Sequence, residues 1–155
     1  LINQEGYVVR FDDGFMFKVK GDDYVRKHSV ISNLVLEKNI VRYILDDVID
    51  DVCNILDKSD QEKLKNDREK VLEGISITVD EVNKIVSEFQ KSGKTRKDFA
   101  NEIVPTLTKN MSSVCFRVMD GKDTYDTIKN MIYKNTSSST RLESIRDLLS
   151  YVRLE

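Results

Sequence analysis

Glu5-Gly6-Tyr7-Val8-Val9-Arg10-Phe11-Asp12-Asp13-Gly14-Phe15-Met16-Phe17-Lys18-Val19-Lys20, followed at once by Gly21-Asp22-Asp23-Tyr24-Val25-Arg26-Lys27-His28, holds the change of period that decides the fold. Val8, Val9 and Phe11 make a short β-branched and aromatic run, the composition of a strand. Asp12-Asp13-Gly14 reads as a turn, because Gly14 is free to take the positive φ that such a turn needs. From Phe15 to Lys20 the apolar Phe15, Phe17 and Val19 alternate with Met16, Lys18 and Lys20. This is a return strand, and both lysines point to one face. Two ammonium groups side by side repel each other unless an anion lies between them. A phosphate fits that need.

After Gly21 the apolar period becomes about 3.6 and stays there. Asp22 or Asp23 can cap a short helix running through His28. Residues 39–56 carry Val41, Ile44, Leu45, Val48, Val52, Ile55 and Leu56 on one stripe, which predicts an amphipathic helix. Asp46, Asp47, Asp50 and Asp51 lie largely off that stripe and read as a solvated face rather than a metal site. A charged stretch, residues 58–73, predicts a surface helix with few apolar anchors. Thr78-Val79-Asp80-Glu81 has the form of a capping box and predicts a new helix carrying Val82, Ile85, Val86 and Phe89, ended by Ser92-Gly93. A further helix starts near Thr95 and yields at Pro105, the single proline, unless that residue opens the next one. Residues 106–119, 123–134 and 139–152 predict three more helices, separated by Asp120-Gly121 and Ser137-Ser138-Ser139. The fold class expected is mostly α, with an N-terminal β-hairpin over residues 1–21 and an all-helical domain over residues 22–155.

Composition sets outer limits. A chain of 155 residues, 39% hydrophobic and 34% charged, fits one globular unit. It has no apolar run near the roughly 20 residues that span a bilayer, and no secretory signal pattern. No membrane association is expected. Cys53 and Cys115 fall in apolar helical contexts without metal-like spacing. They read as reduced core thiols, which points to the cytoplasm. A net charge of −2 gives no global pull on nucleic acid, so any RNA contact must be a local patch.

The hairpin also carries a resemblance. Glu5-Gly6-Tyr7-Val8-Val9 followed by Lys18-Val19-Lys20 is similar to the last two motifs of the covalent nucleotidyltransferases, the ATP-dependent DNA and RNA ligases and mRNA capping enzymes. Gly21 to Ser29 resembles the phage-type RNA ligase 1 family, which has a similar Tyr-Val and His-Ser after its second lysine. Gly93-Lys94-Thr95-Arg96-Lys97 with Ala100 is similar to a run in that family's helical C-terminal domain.

The resemblance implies residues 1–21 as the end of a nucleotidyltransferase domain, and an RNA ligase using ATP and magnesium. Such an enzyme joins RNA 5′-phosphate and 3′-hydroxyl ends through lysyl-AMP and RNA-adenylate intermediates. In the family the helical domain is associated with broken tRNA. By the same carry-over Glu5 lies near the metal and nucleotide, and Lys18 and Lys20 contact the α-phosphate. In-line transfer at phosphorus needs cations on the oxygens that gain charge and a carboxylate for the metal. The family's nucleophilic lysine sits in a Lys-x-Asp-Gly motif upstream of the Glu-Gly-Tyr-Val motif. Only four residues precede Glu5, and Gly121-Lys122-Asp123 is the nearest approach to that pattern. The chain is therefore expected to be the C-terminal portion of a ligase, inactive alone.

Lys91, Lys94, Arg96 and Lys97 place four cations within seven residues at a helix boundary, an arrangement suited to gripping RNA phosphates. A merely soluble helix start accounts for them equally well. Arg141, Arg146 and Arg153 near the C-terminus read with the same ambivalence. No aromatic platform accompanies either group, so base-specific reading is not expected. Tyr24 and His28 match the family without a mechanism of their own, and His28 reads as a packing or polar residue. The competing reading is a non-catalytic helical module that binds RNA or a protein, with a purely structural hairpin. A DNA ligase or capping enzyme would continue into a β-rich barrel, against the helical period seen after Gly21.

Overall fold

The computed structural model describes residues 5–155, so of the expected N-terminal unit residues 1–4 lie outside the described residues. Strands β1 (Gly6–Arg10) and β2 (Met16–Lys20) pair antiparallel, with Gly6 opposite Lys20, Val8 opposite Lys18 and Arg10 opposite Met16. Phe15 belongs to the turn rather than to the strand. Its N–H donates to Asp13 Oδ1 at 2.9 Å, and Gly14 takes the positive φ, 87°. The rings of Phe11, Phe15 and Phe17 cluster at this tip with centroids 5.8–6.3 Å apart.

Among the described residues eight α-helices follow: α1 (Asp22–Asn33), α2 (Glu37–Leu45), α3 (Ile49–Cys53), α4 (Lys58–Lys91), α5 (Arg96–Glu102), α6 (Lys109–Met119), α7 (Thr124–Asn135) and α8 (Ser139–Ser144). Short 3₁₀ turns cover Val104–Thr106 and Arg146–Leu149. The mostly helical expectation holds. Helix α1 extends past His28, and neither Asp22 nor Asp23 caps it. Gly21 is the N-cap and the two aspartates occupy the first turn, where carboxylates face the positive end of the helix dipole.

Three of the expected helices are divided differently. Residues 39–56 form α2 and α3, with a break at Asp47, whose φ is 57°. Aspartate tolerates this left-handed conformation better than most residues. The kink lets Ile44, Leu45, Ile49, Val52 and Cys53 all remain buried. Conversely, the two helices expected over 58–73 and from 78 onward are one helix of 34 residues. Thr78 opens nothing. It is 1% exposed, and its hydroxyl donates to the Gly74 carbonyl 3.1 Å away, one turn back. A threonine inside a helix satisfies its hydroxyl in this way, so the four-residue pattern alone does not mark a start. Nor is 58–73 a bare surface helix, for Leu64, Asp67 and Val71 are buried.

Helix α4 is the axis of the molecule. Helices α2, α3, α6 and α7 and the 3₁₀ turn Arg146–Leu149 pack on it, burying Val71, Ile75, Val82, Val86 and Phe89. Gly74 permits a close approach, since a Cβ there would lie 2.5 Å from the Leu149 carbonyl oxygen. At the far end Phe99 stands edge-on between Phe89 and Phe116, with centroids 4.9 and 5.3 Å away. Thr95 caps α5 in a reciprocal box with Asp98, Thr108 caps α6, Asp123 caps α7 and Ser138 caps α8. Pro105 sits in the 3₁₀ turn between α5 and α6, and α6 starts only at Lys109. Residues 139–152 are α8 plus a 3₁₀ turn that ends in left-handed Ser150 and Tyr151.

Both cysteines are free and buried. Burial pushes the Cys115 thiol up to about 11, assisted by the charge of Glu81. Among the described residues no helix is long and apolar enough to cross a membrane. The hairpin packs mainly on itself: Tyr7, Val8, Phe15, Met16 and Val19 are all at least 45% exposed.

Candidate functional site

The hairpin brings Glu5 and Lys18 together. The Lys18 ammonium donates to a Glu5 carboxylate oxygen, and both side chains remain about half exposed. Strict strand alternation would set Glu5 on the face opposite Lys18. Gly6 breaks the alternation with φ 145°, a conformation open to glycine alone, and a Cβ at Gly6 would stand 1.9 Å from the Val19 carbonyl oxygen. The glycine of Glu-Gly-Tyr-Val is thus a steric requirement of the turn-in that delivers the carboxylate. The Gly21 N–H closes this end by donating to the Glu5 carbonyl at 3.1 Å.

Lys20 shares the Lys18 face, two residues along β2. Hydrogen bonding from Lys18, and its charge, hold the Glu5 carboxyl below the usual range, with smaller help from Lys20 and His28. Glu5 in turn holds the Lys18 ammonium above its ordinary value by accepting its hydrogen bond. Tyr24 and His28 lie one turn apart on α1, their ring centroids 4.3 Å from each other, with Asp23, Lys27 and Ile31 around them. The residues taken from the sequence as a catalytic group therefore converge, with the Tyr24–His28 pair as their neighbour. Among the described residues no group of three or more His, Cys, Asp or Glu side chains is arranged for a metal ion. Glu5 supplies one carboxylate here, and magnesium is commonly held by one or two carboxylates plus substrate phosphates.

The basic run around Gly93 is partly spoken for. Lys94 pairs with Glu102 and Arg96 with Asp120, while Lys91 and Lys97 form no ion pair among the described residues. Arg96 also lies over the Phe116 ring, 4.7 Å from its centroid. Such exposed pairs contribute little to stability, so a phosphate can compete for these cations.

Arg96 opens onto a shallow depression of about 500 Å³ on the α5–α6 surface, lined also by Lys109, Ser113, Phe116, Arg117 and Asp120. Lys109 and Arg117 were missed in the sequence, although Lys109, Ser113 and Arg117 recur every four residues on α6 and so share a face. The half-buried Phe116 is an aromatic surface that linear reading did not place beside these cations.

The C-terminal arginines do not form a comparable patch. Arg146 is 6% exposed and turned inward. Its guanidinium donates to both Glu37 oxygens at 2.7 and 2.8 Å, to Glu143 and to the Val152 carbonyl. Arg153 pairs with Glu143 at 2.6 Å, and Arg141 is exposed. Arg146 is therefore a structural clamp and not a nucleic-acid contact.

No family model, curated protein or solved structure matches this chain.

Proposed function

We propose that this chain is the C-terminal portion of an ATP-dependent RNA ligase of the phage RNA ligase 1 type. The observation that carries the reading is the Glu5–Lys18 pair with Lys20 beside it, formed because Gly6 bends the strand end inward. In this reading Lys18 and Lys20 neutralise the α-phosphate of ATP, or of the adenylate, as charge builds on its oxygens. Glu5 orients the nucleotide and is the residue that would hold magnesium, whose part is to supply Lewis-acid charge at the phosphates. In the resting pair Lys18 and Glu5 satisfy each other, so an arriving phosphate exchanges one exposed anion for another at small cost.

The helical domain selects RNA bearing 5′-phosphate and 3′-hydroxyl ends, with broken tRNA as the substrate class to try first. Arg96, Lys109 and Arg117 around Phe116 support backbone contact at the α5–α6 depression, and Lys91, Lys94 and Lys97 extend the positive surface. Three to four phosphate contacts with a single strand give a salt slope of roughly −2 to −3.

The test substitutes Lys18→Ala and Lys20→Ala in the ligase polypeptide that carries the nucleophilic lysine, and follows self-adenylylation and strand joining on gels. Each variant is expected to lose most of both activities. Unchanged joining in both would end the ligase reading. RNA binding that persists and fails only in an Arg96/Lys109/Arg117 triple alanine variant would then leave a helical RNA-binding module.

A further inference from the structure

A second concave site lies away from the hairpin and the basic surface. Helices α1 and α2, the residue Leu56, the first three turns of α4 and the C-terminal tail enclose a cavity of about 280 Å³. Its walls include Leu34, Ile40, Leu56 and Leu64. At roughly 30 Å³ per water this space matches about nine water molecules, room for a compact molecule of similar heavy-atom count.

Asp67 lines this cavity and is 3% exposed. Its carboxylate has no hydrogen-bond or ion-pair partner among the described residues, yet neither of its oxygens is a fully enclosed orphan. Asp67 stands on the cavity wall, so the cavity is where a partner for its carboxylate would enter. A carboxylate in this position costs stability unless a cation meets it. Burial accordingly pushes the Asp67 carboxyl above its usual value, only partly offset by the charges of Lys63 and Lys70.

The other charges at the cavity sharpen the choice of ligand. Glu37 is committed to Arg146, and Asp60 and Glu155 add further negative charge. Among the described residues Lys63 is the single lining cation, and its exposed side chain is not within ion-pair distance of Asp67. An anion is therefore disfavoured and an uncharged apolar guest would leave Asp67 unpaired.

We propose that this cavity binds a small organic amine, its ammonium group on Asp67 and its hydrocarbon stem against Ile40, Leu56 and Leu64. The site is independent of the ligase reading and shares no residue with it.

The test uses the whole chain with n-hexylammonium, n-hexanol and hexanoate as probes, read by calorimetry and by thermal shift. Hexylammonium is expected to bind saturably and about tenfold or more tighter than hexanol, the increment of a charge-assisted hydrogen bond. Hexanoate is expected to show no saturable binding. In Asp67→Asn the amine is expected to fall to the level of the alcohol. That variant removes a buried unpaired charge, so it folds at least as well as the parent. Val35→Trp narrows the mouth from a position 79% exposed and is expected to weaken all binding without loss of fold. Equal affinity for amine and alcohol, no saturable amine binding, or undiminished amine binding in Asp67→Asn would each overturn the proposal.

Discussion

Replacing Arg146 with methionine should destabilise the protein by about 3–5 kcal/mol, the cost of removing one partner from a buried ion pair. The magnitude follows from what the side chain holds. Its guanidinium spans both oxygens of Glu37, the Glu143 carboxylate 3.0 Å away, and the Val152 carbonyl 2.6 Å away. It thereby ties α2, the turn after α8 and the C-terminal tail together. Methionine fills much of the volume but leaves the Glu37 side chain, 23% exposed, with only the Leu154 N–H at 2.9 Å among the described residues. For a domain of this size such a loss lowers Tm by roughly 6–20 °C. Arg146→Lys should fall in between, because an ammonium cannot fork across two carboxylates and a carbonyl. The assay is urea denaturation of the parent, Arg146→Met, Glu37→Gln and the double variant. A coupling energy of 1 kcal/mol or more is expected between the two sites. If the single effects simply add, the Glu37–Arg146 pair is not what holds the tail, and the reasoning fails.

Two further outcomes follow from the same core. Burial by itself would raise the Glu37 carboxyl, but hydrogen bonds from Arg146 and Leu154 hold it below the ordinary value. Its stabilisation is therefore present above the unfolded carboxylate pKa of about 4.3 and is lost as pH falls through the folded value. Asp67, raised by burial, acts with the opposite sign and relieves a penalty on acidification. Stability measured between pH 6 and 3 should thus fall less steeply in Glu37→Gln and more steeply in Asp67→Asn than in the parent, and the reverse order would refute both assignments. Gly74→Ala should cost roughly 1–3 kcal/mol by overpacking, more than the approximately 1 kcal/mol that alanine gains in a helix. The new methyl would meet the Leu149 carbonyl oxygen at 2.5 Å, and a raised Tm would show that the C-terminal turn can move away freely.

The sequence by itself determined the elements whose causes are local. The strand period, the turn at Gly14, the helix stop at Gly93 and the Thr95 cap all follow from the conformational limits of one to four residues. Lys18 and Lys20 on one face were legible for the same reason, since they stand two residues apart on one strand. The turn of Glu5 toward them was not, because simple alternation puts it on the opposite face and the φ of Gly6 reverses that. Tertiary structure decided what depends on contacts far along the chain. The Thr78 tetrapeptide is equally good as a cap and as a helix interior. It became interior because buried positions from Leu64 to Phe89 share one long packing stripe. Residues 39–56 were broken at Asp47 so that both halves could bury their apolar faces. Arg146 looked like a surface cation until Glu37, 109 residues away, took it inward. Asp67 read as one charge among many on a polar helix, and only the enclosure by α1, α2 and the tail made it a lone buried carboxylate. Local spacing fixes backbone conformation and near-neighbour geometry, whereas desolvation of a charge depends on which distant surfaces close over it.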